Sequence, residues 1–168
     1  RIDYAMLREH SEGLIVSTAC LGGPLSYIPM MHHSTVQWES LHPGIDDEES
    51  FATIQRDMSV EVDRLVDAVG ERNLYLEVQF TRLGAQHLVN KHMIELSRST
   101  GLPLLATADS HYPRPELWKD RELYKKLGWL GYDKYEPGLL PASVDELKAE
   151  LYPKNAEQVW QSYKDTTQ

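Results

Sequence analysis

Two places in this sequence join reactive residue types to chain segments able to hold them still. One is Asp109-Ser110-His111, which follows the apolar run Leu102-Pro103-Leu104-Leu105-Ala106-Thr107-Ala108. The other is Cys20, which closes Leu14-Ile15-Val16-Ser17-Thr18-Ala19. A carboxylate and an imidazole two residues apart on a strand point to the same side. Such a pair makes half of a metal site, and an added thiolate favours zinc or a similar transition metal over magnesium. A metal-bound water there would be acidified enough to attack a phosphodiester. The same residues have plain structural readings. An Asp caps a turn, a His covers a strand end, and a Cys packs as a small hydrophobe.

In parallel α/β architectures the site lies beyond the carboxyl ends of the strands, so the elements around these residues decide the matter. Residues 14–20 are rich in β-branched side chains and read as a strand, broken by Gly22-Gly23-Pro24. Residues 74–80 alternate: Leu74, Leu76, Val78 and Phe80 share one face, and Tyr75, Glu77 and Gln79 the other. That suits a barrel strand with a polar-lined interior, and equally a half-exposed antiparallel strand. The run from Leu102 rises out of a Gly-Leu-Pro turn and reads as a buried strand. Helical spacing of Ile54, Met58, Val62, Leu65, Val66 and Val69 predicts a helix over 53–69, stopped by Gly70. Leu88, Val89, His92, Met93 and Leu96 predict another over 86–99, stopped by Gly101. A short helix ends near residue 10. Strand, long connection with helix, strand, helix, strand is the order of parallel βαβ units.

Residues 25–50 show no clean period. They hold His32, His33, His42, Pro29, Pro43 and the acidic run Asp46-Asp47-Glu48-Glu49. Solvated histidines in a surface loop or insertion are the expectation there, ahead of a metal site, because no frame fixes their spacing. His87 and His92 are expected on a helix surface or in helix packing. Beyond Tyr112 a charged helix is expected over 116–127 and irregular chain over 128–142. Ser143 and Glu146 read as a capping box, and Asn155 caps a last short helix over 156–163. Tyr152, Trp160 and Tyr163 are expected to serve as core or docking residues rather than base-stacking ones.

The chain has 168 residues, 41% hydrophobic and 26% charged, which suits one packed domain or a piece of a larger protein. A formal net charge of −9 argues against gripping nucleic acid mainly by basic steering. The single Cys20 excludes an internal disulfide and fits a reducing, cytoplasmic setting. No signal peptide or membrane-crossing run is visible. The chain opens on Arg1-Ile2-Asp3-Tyr4 without an initiator Met, as expected of a processed product or a fragment.

Three segments resemble the PHP (polymerase and histidinol phosphatase) domain of bacterial replicative polymerases, the DNA polymerase III alpha subunit family. Gly13-Leu14-Ile15-Val16-Ser17-Thr18-Ala19-Cys20-Leu21-Gly22-Gly23 is similar to that family's EGLI…GCLGG segment. Tyr75-Leu76-Glu77-Val78-Gln79 is similar to its YLEIQ strand. The block from Gly101 to Tyr112 is similar to its GLPLVATNDVHY. The resemblance implies an α/β fold: part of a distorted (β/α)7 barrel over 1–127, with parallel strands, flanking helices and an insertion near 30–50. A helical tail follows, an irregular segment and short helices over 128–168 that would lead toward the next polymerase domain. It also implies that Cys20, Asp109 and His111 are metal ligands for zinc, manganese or iron, with Glu77 and Gln79 behind them or lining the lumen. In the intact domain this would be a phosphoesterase or 3′–5′ exonuclease site. DNA, through the full-length polymerase, and other replisome subunits are the implied partners.

The resemblance has departures. The family's opening His-x-His motif and its later His and Glu ligands are absent, and Cys20 and Asp109 stand farther apart than is usual in the family. The segment alone is therefore expected to be inactive and to self-associate through open sheet edges. No carboxylate set for nucleotidyl transfer can be assigned in this span. A non-catalytic PHP scaffold and a stand-alone PHP phosphatase are the competing readings.

Overall fold

Alternation in residues 74–80 becomes the central strand of a parallel sheet in the computed structural model, which describes residues 2–128 and 151–167. The strands are β1 (Val16–Ser17), β2 (Leu74–Gln79) and β3 (Leu104–Thr107), in the order β1-β2-β3. Val16 lies opposite Leu74 and Ser17 opposite Tyr75. Leu76 to Gln79 pair in step with Leu104 to Thr107. Both ladders are parallel, as the βαβ order predicts, and all three strands end at one edge. These strands belong to a first unit, Arg1–Thr107; a second runs from Ala108 to Gln168.

Two long helices cover the sheet. The first, which begins five residues before its predicted start, spans Glu48–Val69, and the acidic run is the reason. Asp47 caps it: the Ser50 amide donates to Asp47 Oδ1 at 2.8 Å, and the Asp47 amide donates to Ser50 Oγ at 3.1 Å. Hydrogen bonds from the Ser50 side chain and backbone hold the Asp47 carboxyl below its usual range. Glu48 and Glu49 occupy the first turn, where the helix dipole favours negative charge. Ile54, Met58, Val62, Leu65 and Val69 are buried along one stripe. The second long helix, Gly84–Thr100, ends at Gly101, whose φ of +78° is left-handed and suits glycine.

Two shorter helices precede them, so in chain order the helices of this unit are α1 (Tyr4–Glu9), α2 (Pro24–His32), α3 (Glu48–Val69) and α4 (Gly84–Thr100). Helix α2 was not expected: residues 25–50 read as loop. Pro24 opens it, where a missing amide costs nothing, and Leu25, Ser26 and Pro29 bury one side. Too few turns are present for a period to emerge from nine residues with two prolines. Helix α1 lies on α3 through Tyr4 to Glu61 and Arg8 to Asp67.

Two strand expectations need correction. The first strand is two residues long, not seven, because Ala19 turns into left-handed backbone at φ +63° and ends it. Strand β3 is not buried: Leu104 is 41% and Leu105 38% exposed. An apolar run without alternation reports hydrophobicity, not the presence of a covering layer.

In the second unit, a 3-10 turn at Pro115–Leu117 leads into α5 (Trp118–Gly128), and α6 covers Ala156–Thr167. Tyr112, Trp118, Leu151 and Tyr152 form its core. Asn155 caps α6 reciprocally with Gln158, both bonds at 2.9 Å. Tyr152 is buried, one of the two roles expected for it; Trp160, 57% exposed, is not a core residue. The expectations for residues 129–142, for Ser143 and Glu146, and for the Tyr163 side chain lie outside the described residues. Among the described residues no helix is long and apolar enough to cross a membrane.

Candidate functional site at the carboxyl end of the sheet

Glu77 is the residue on which the sheet edge converges. The residue is 9% exposed and lies where β1, β2 and β3 end. Ser17 Oγ from β1 donates to Glu77 Oε2 at 2.5 Å, and Thr107 Oγ1 from β3 donates to Oε1 at 2.5 Å. Gln79 Nε2, two residues along β2, donates to Oε1 at 3.1 Å. The Glu77 amide in turn donates to Thr18 Oγ1 at 2.8 Å. Burial pushes the Glu77 carboxyl up, but hydrogen bonds from Ser17, Thr107, Gln79 and the Ala19 backbone outweigh it and leave the carboxyl below its usual range. The carboxylate is therefore the form this edge is built to hold.

Gln79, predicted to share a face with Glu77, does so. Its backbone is also fixed by Asn90 on α4, whose Nδ2 donates to Gln79 O at 2.6 Å, while Gln86 Nε2 donates to Asn90 Oδ1 at 2.9 Å. The end of β2 is thus tied both across the sheet and to the first turns of α4.

Cys20 follows β1 in a tight turn and is half-buried. The Gly23 amide donates to Cys20 O at 2.8 Å. A Cβ on Gly23 would meet Thr18 O at 2.2 Å, so only glycine lets the turn close. Ala19, immediately before Cys20, takes the left-handed backbone at a cost of about 1–2 kcal/mol.

Asp109 and His111 belong to the second unit and do not lie on a strand, because β3 ends at Thr107. Asp109 has φ +46°, so the pair sits in a turn and the two-residue strand period does not apply. Another interaction orders it: His111 Nδ1 lies 2.6 Å from the Asp109 carbonyl oxygen. An Nδ1 proton donated to that carbonyl leaves Nε2 as the ring's acceptor and possible ligand atom. The His111 and Tyr112 amides both donate to Leu151 O, at 2.8 and 3.2 Å. Ala19 and Asp109 are the non-glycine residues with positive φ among the described residues, and both lie at the predicted chemistry.

The predicted ligand set is divided between the units, Cys20 in the first and Asp109 with His111 in the second. Among the described residues, no group of three or more His, Cys, Asp or Glu side chains is placed to hold a metal ion. The donor types suit a transition metal, but this arrangement gives no complete site.

Sequence reasoning missed a second polar cluster. Asp46, its side chain fully buried, takes His33 Nε2 at 2.7 Å on one oxygen and His92 Nε2 at 3.1 Å on the other. Lys91 Nζ is 3.5 Å from Asp46 Oδ2. The solvated reading of His33 fails: its side chain is only 13% exposed. His92 is buried in helix packing, one of the two roles expected for it, with its ring stacked on Phe51 at 4.7 Å between centroids. Burial, ahead of the opposing pull of Asp46, pushes the His92 imidazole down to about 4. Three other histidines have partners of their own: His32 faces Asp57 at 3.3 Å, His42 accepts the Gly44 amide, and His87 Nε2 lies 2.9 Å from Thr81 O.

The described residues thus define an α/β unit with a parallel sheet and a buried carboxylate at its carboxyl edge. Proteins named DNA polymerase III subunit alpha are similar to this chain. The Thermus aquaticus protein is 34% identical over 116 residues, 69% of this chain and 8% of the relative. That of Aquifex aeolicus is 32% identical over 118 residues, with the same coverage. That of Helicobacter pylori strain J99 is 27% identical over 165 residues, 98% of this chain and 12% of the relative. The chain therefore spans about a tenth of the length of these curated relatives and is related to a region of them. No protein-family model matches it.

Proposed function

We propose that this chain is a segment of the PHP domain of a replicative DNA polymerase III alpha subunit, a barrel segment whose complete rim is a metal-dependent phosphoesterase of the 3′–5′ exonuclease type. The observation that carries the reading is the parallel sheet, in which β1 and β3, the strands that precede Cys20 and Asp109 in the chain, flank β2 in the expected order. Similarity to polymerase III alpha subunits along nearly the whole chain supports it. In that reading Cys20, Asp109 and His111 are part of the ligand set for zinc, manganese or iron. Glu77 and Gln79 brace the strand ends behind it, and DNA and replisome subunits are partners of the larger protein. The ion, when bound, supplies an acidified water. The chain's own contribution is to present the thiol from a closed turn and the imidazole with Nε2 unprotonated.

The segment alone holds too few ligands for a multinuclear site and is not a nuclease. Its exposed β3 edge, with Leu104 and Leu105 uncovered, favours self-association in isolation. The test is metal content of the full-length polymerase by elemental analysis. Cys20→Ala and Asp109→Ala each lower the stoichiometry if the assignment holds; unchanged metal in both overturns it. Absence of three clustered ligands among the described residues favours a second reading, a PHP scaffold without chemistry. Metal-free full-length protein with normal polymerase activity would select it.

A further inference from the structure

Residues 33–47 cross from the end of α2 to the start of α3 as a strap held by two side-chain clusters. At one, Leu41 is buried with Ala85 and Leu88 of α4, and Leu21, Val36 and Ile45 pack against them. The contact is close enough that a Cβ on Gly84 would lie 1.8 Å from Leu41 O. At the other, Asp46 is held between His33 and His92 at 2.7 and 3.1 Å. Leu21 adjoins Cys20, so the strap rests on the turn that follows β1.

We propose that the His33–Asp46–His92 cluster is an acid-released clasp that fastens the 33–47 strap to α4. His92 is fixed as a neutral ring by its surroundings. Gln55 Nε2 donates to His92 Nδ1 at 2.9 Å and to its backbone oxygen at 3.1 Å, which leaves the Nε2 proton for Asp46. The charged and titratable groups facing the cluster are Lys91 from α4 and Asp47 from the head of α3. Lys91 also donates to Pro43 O in the strap at 2.7 Å and lies over Phe51. Helix α3 presents neutral Gln55, and its Asp57 is engaged by His32 of α2.

A second proton on His92 places it on Nδ1, against the Gln55 amide that donates there. It also adds a positive charge beside Lys91 in a site closed to water. Opening the strap relieves both. The ring takes its proton readily once exposed, near its ordinary value of 6.5, and reluctantly while clasped. Falling pH therefore favours the open strap, and between pH 7 and 5 the linkage amounts to about a twentyfold rise in the open fraction.

Amide hydrogen exchange on the whole chain tests this, with rates corrected for intrinsic pH dependence. Val36 and Ile45, whose amides bond within the strap, are compared with Leu76 and Val78 of β2. A rise of tenfold or more in the strap-to-sheet ratio from pH 7 to 5 supports the clasp; a smaller rise overturns it. His92→Gln keeps an amide donor and cannot titrate, so its ratio must be flat over the same range; a persisting tenfold rise also overturns the proposal. If His92→Gln fails to fold, the wild-type ratio still decides.

Discussion

Glu77 and Asp46 are both buried carboxylates of the first unit, and their partners make them opposites. Glu77 accepts from two hydroxyls and an amide, none of which titrates between pH 3 and 9. Asp46 accepts from two imidazoles and faces an ammonium. The Glu77 edge keeps its charge state over a wide range and acts as a fixed bracket across three strands. The Asp46 cluster joins groups whose protonation states depend on one another. A carboxylate held by neutral donors gives rigidity, and one held by histidines gives rigidity that depends on pH.

The strongest way to break the contrast is Asp46→Ala. It leaves the His33 and His92 rings without their shared acceptor, and loss of hydrogen bonds to a buried charged acceptor costs about 2–3 kcal/mol. Urea unfolding measures it; a loss below 1 kcal/mol would place the cluster outside the cooperative core.

Acid sharpens the contrast next. The His92 value in the folded chain, about 4, lies below its unfolded value of 6.5. The unfolded state therefore binds more protons in that window. The His92 contribution is present above pH 6.5 and is lost as pH falls toward 4, on the order of 2 kcal/mol by pH 4.5. Glu77, lowered from 4.5, keeps its contribution above that value and loses it only as pH falls through the depressed folded value. Stability measured from pH 7.5 to 3 should fall in two stages, the first absent in His92→Gln.

Glu77→Gln removes the charge but keeps the size. Hydrogen bonds to a charged acceptor are stronger than neutral ones, so a loss of about 1.5 kcal/mol is expected. Exchange should quicken at β1 and β3 together, since Ser17 and Thr107 share that one carboxylate. Faster exchange at one strand alone would show that the bracket does not join them. The smallest effect belongs to Asp67→Asn, which breaks the exposed contact to Arg8, with both side chains more than half exposed. Less than 1 kcal/mol is expected in urea unfolding at moderate salt.

The elements with a long, single-phase apolar pattern were legible. The stripe from Ile54 to Val69 and the alternation from Leu74 to Gln79 appear as α3 and β2, with Gly70 closing α3 as expected. The placement of Glu77 and Gln79 on one face followed from the strand period and is met in the structure. Ser17 and Thr107 gave no comparable signal: each is a hydroxyl near the end of an apolar run, and its meeting with Glu77 depends on which strand lies beside which. Helix α2 and the short β1 were not legible, because two prolines and a left-handed alanine override local propensity.

What the linear order of residues determined by itself was periodicity and its interruptions, hence the parallel βαβ arrangement and the edge at which its strands end. Those depend on interactions within a few residues, and on the rule that parallel strands need a crossover. Which polar groups meet was decided only by tertiary structure. Asp46 and His92 are paired by the packing of the strap on α4, and Glu77 reaches Thr107 because β3 lies beside β2. Contacts between residues distant in sequence carry no period, so burial has to assemble them before their chemistry can be read.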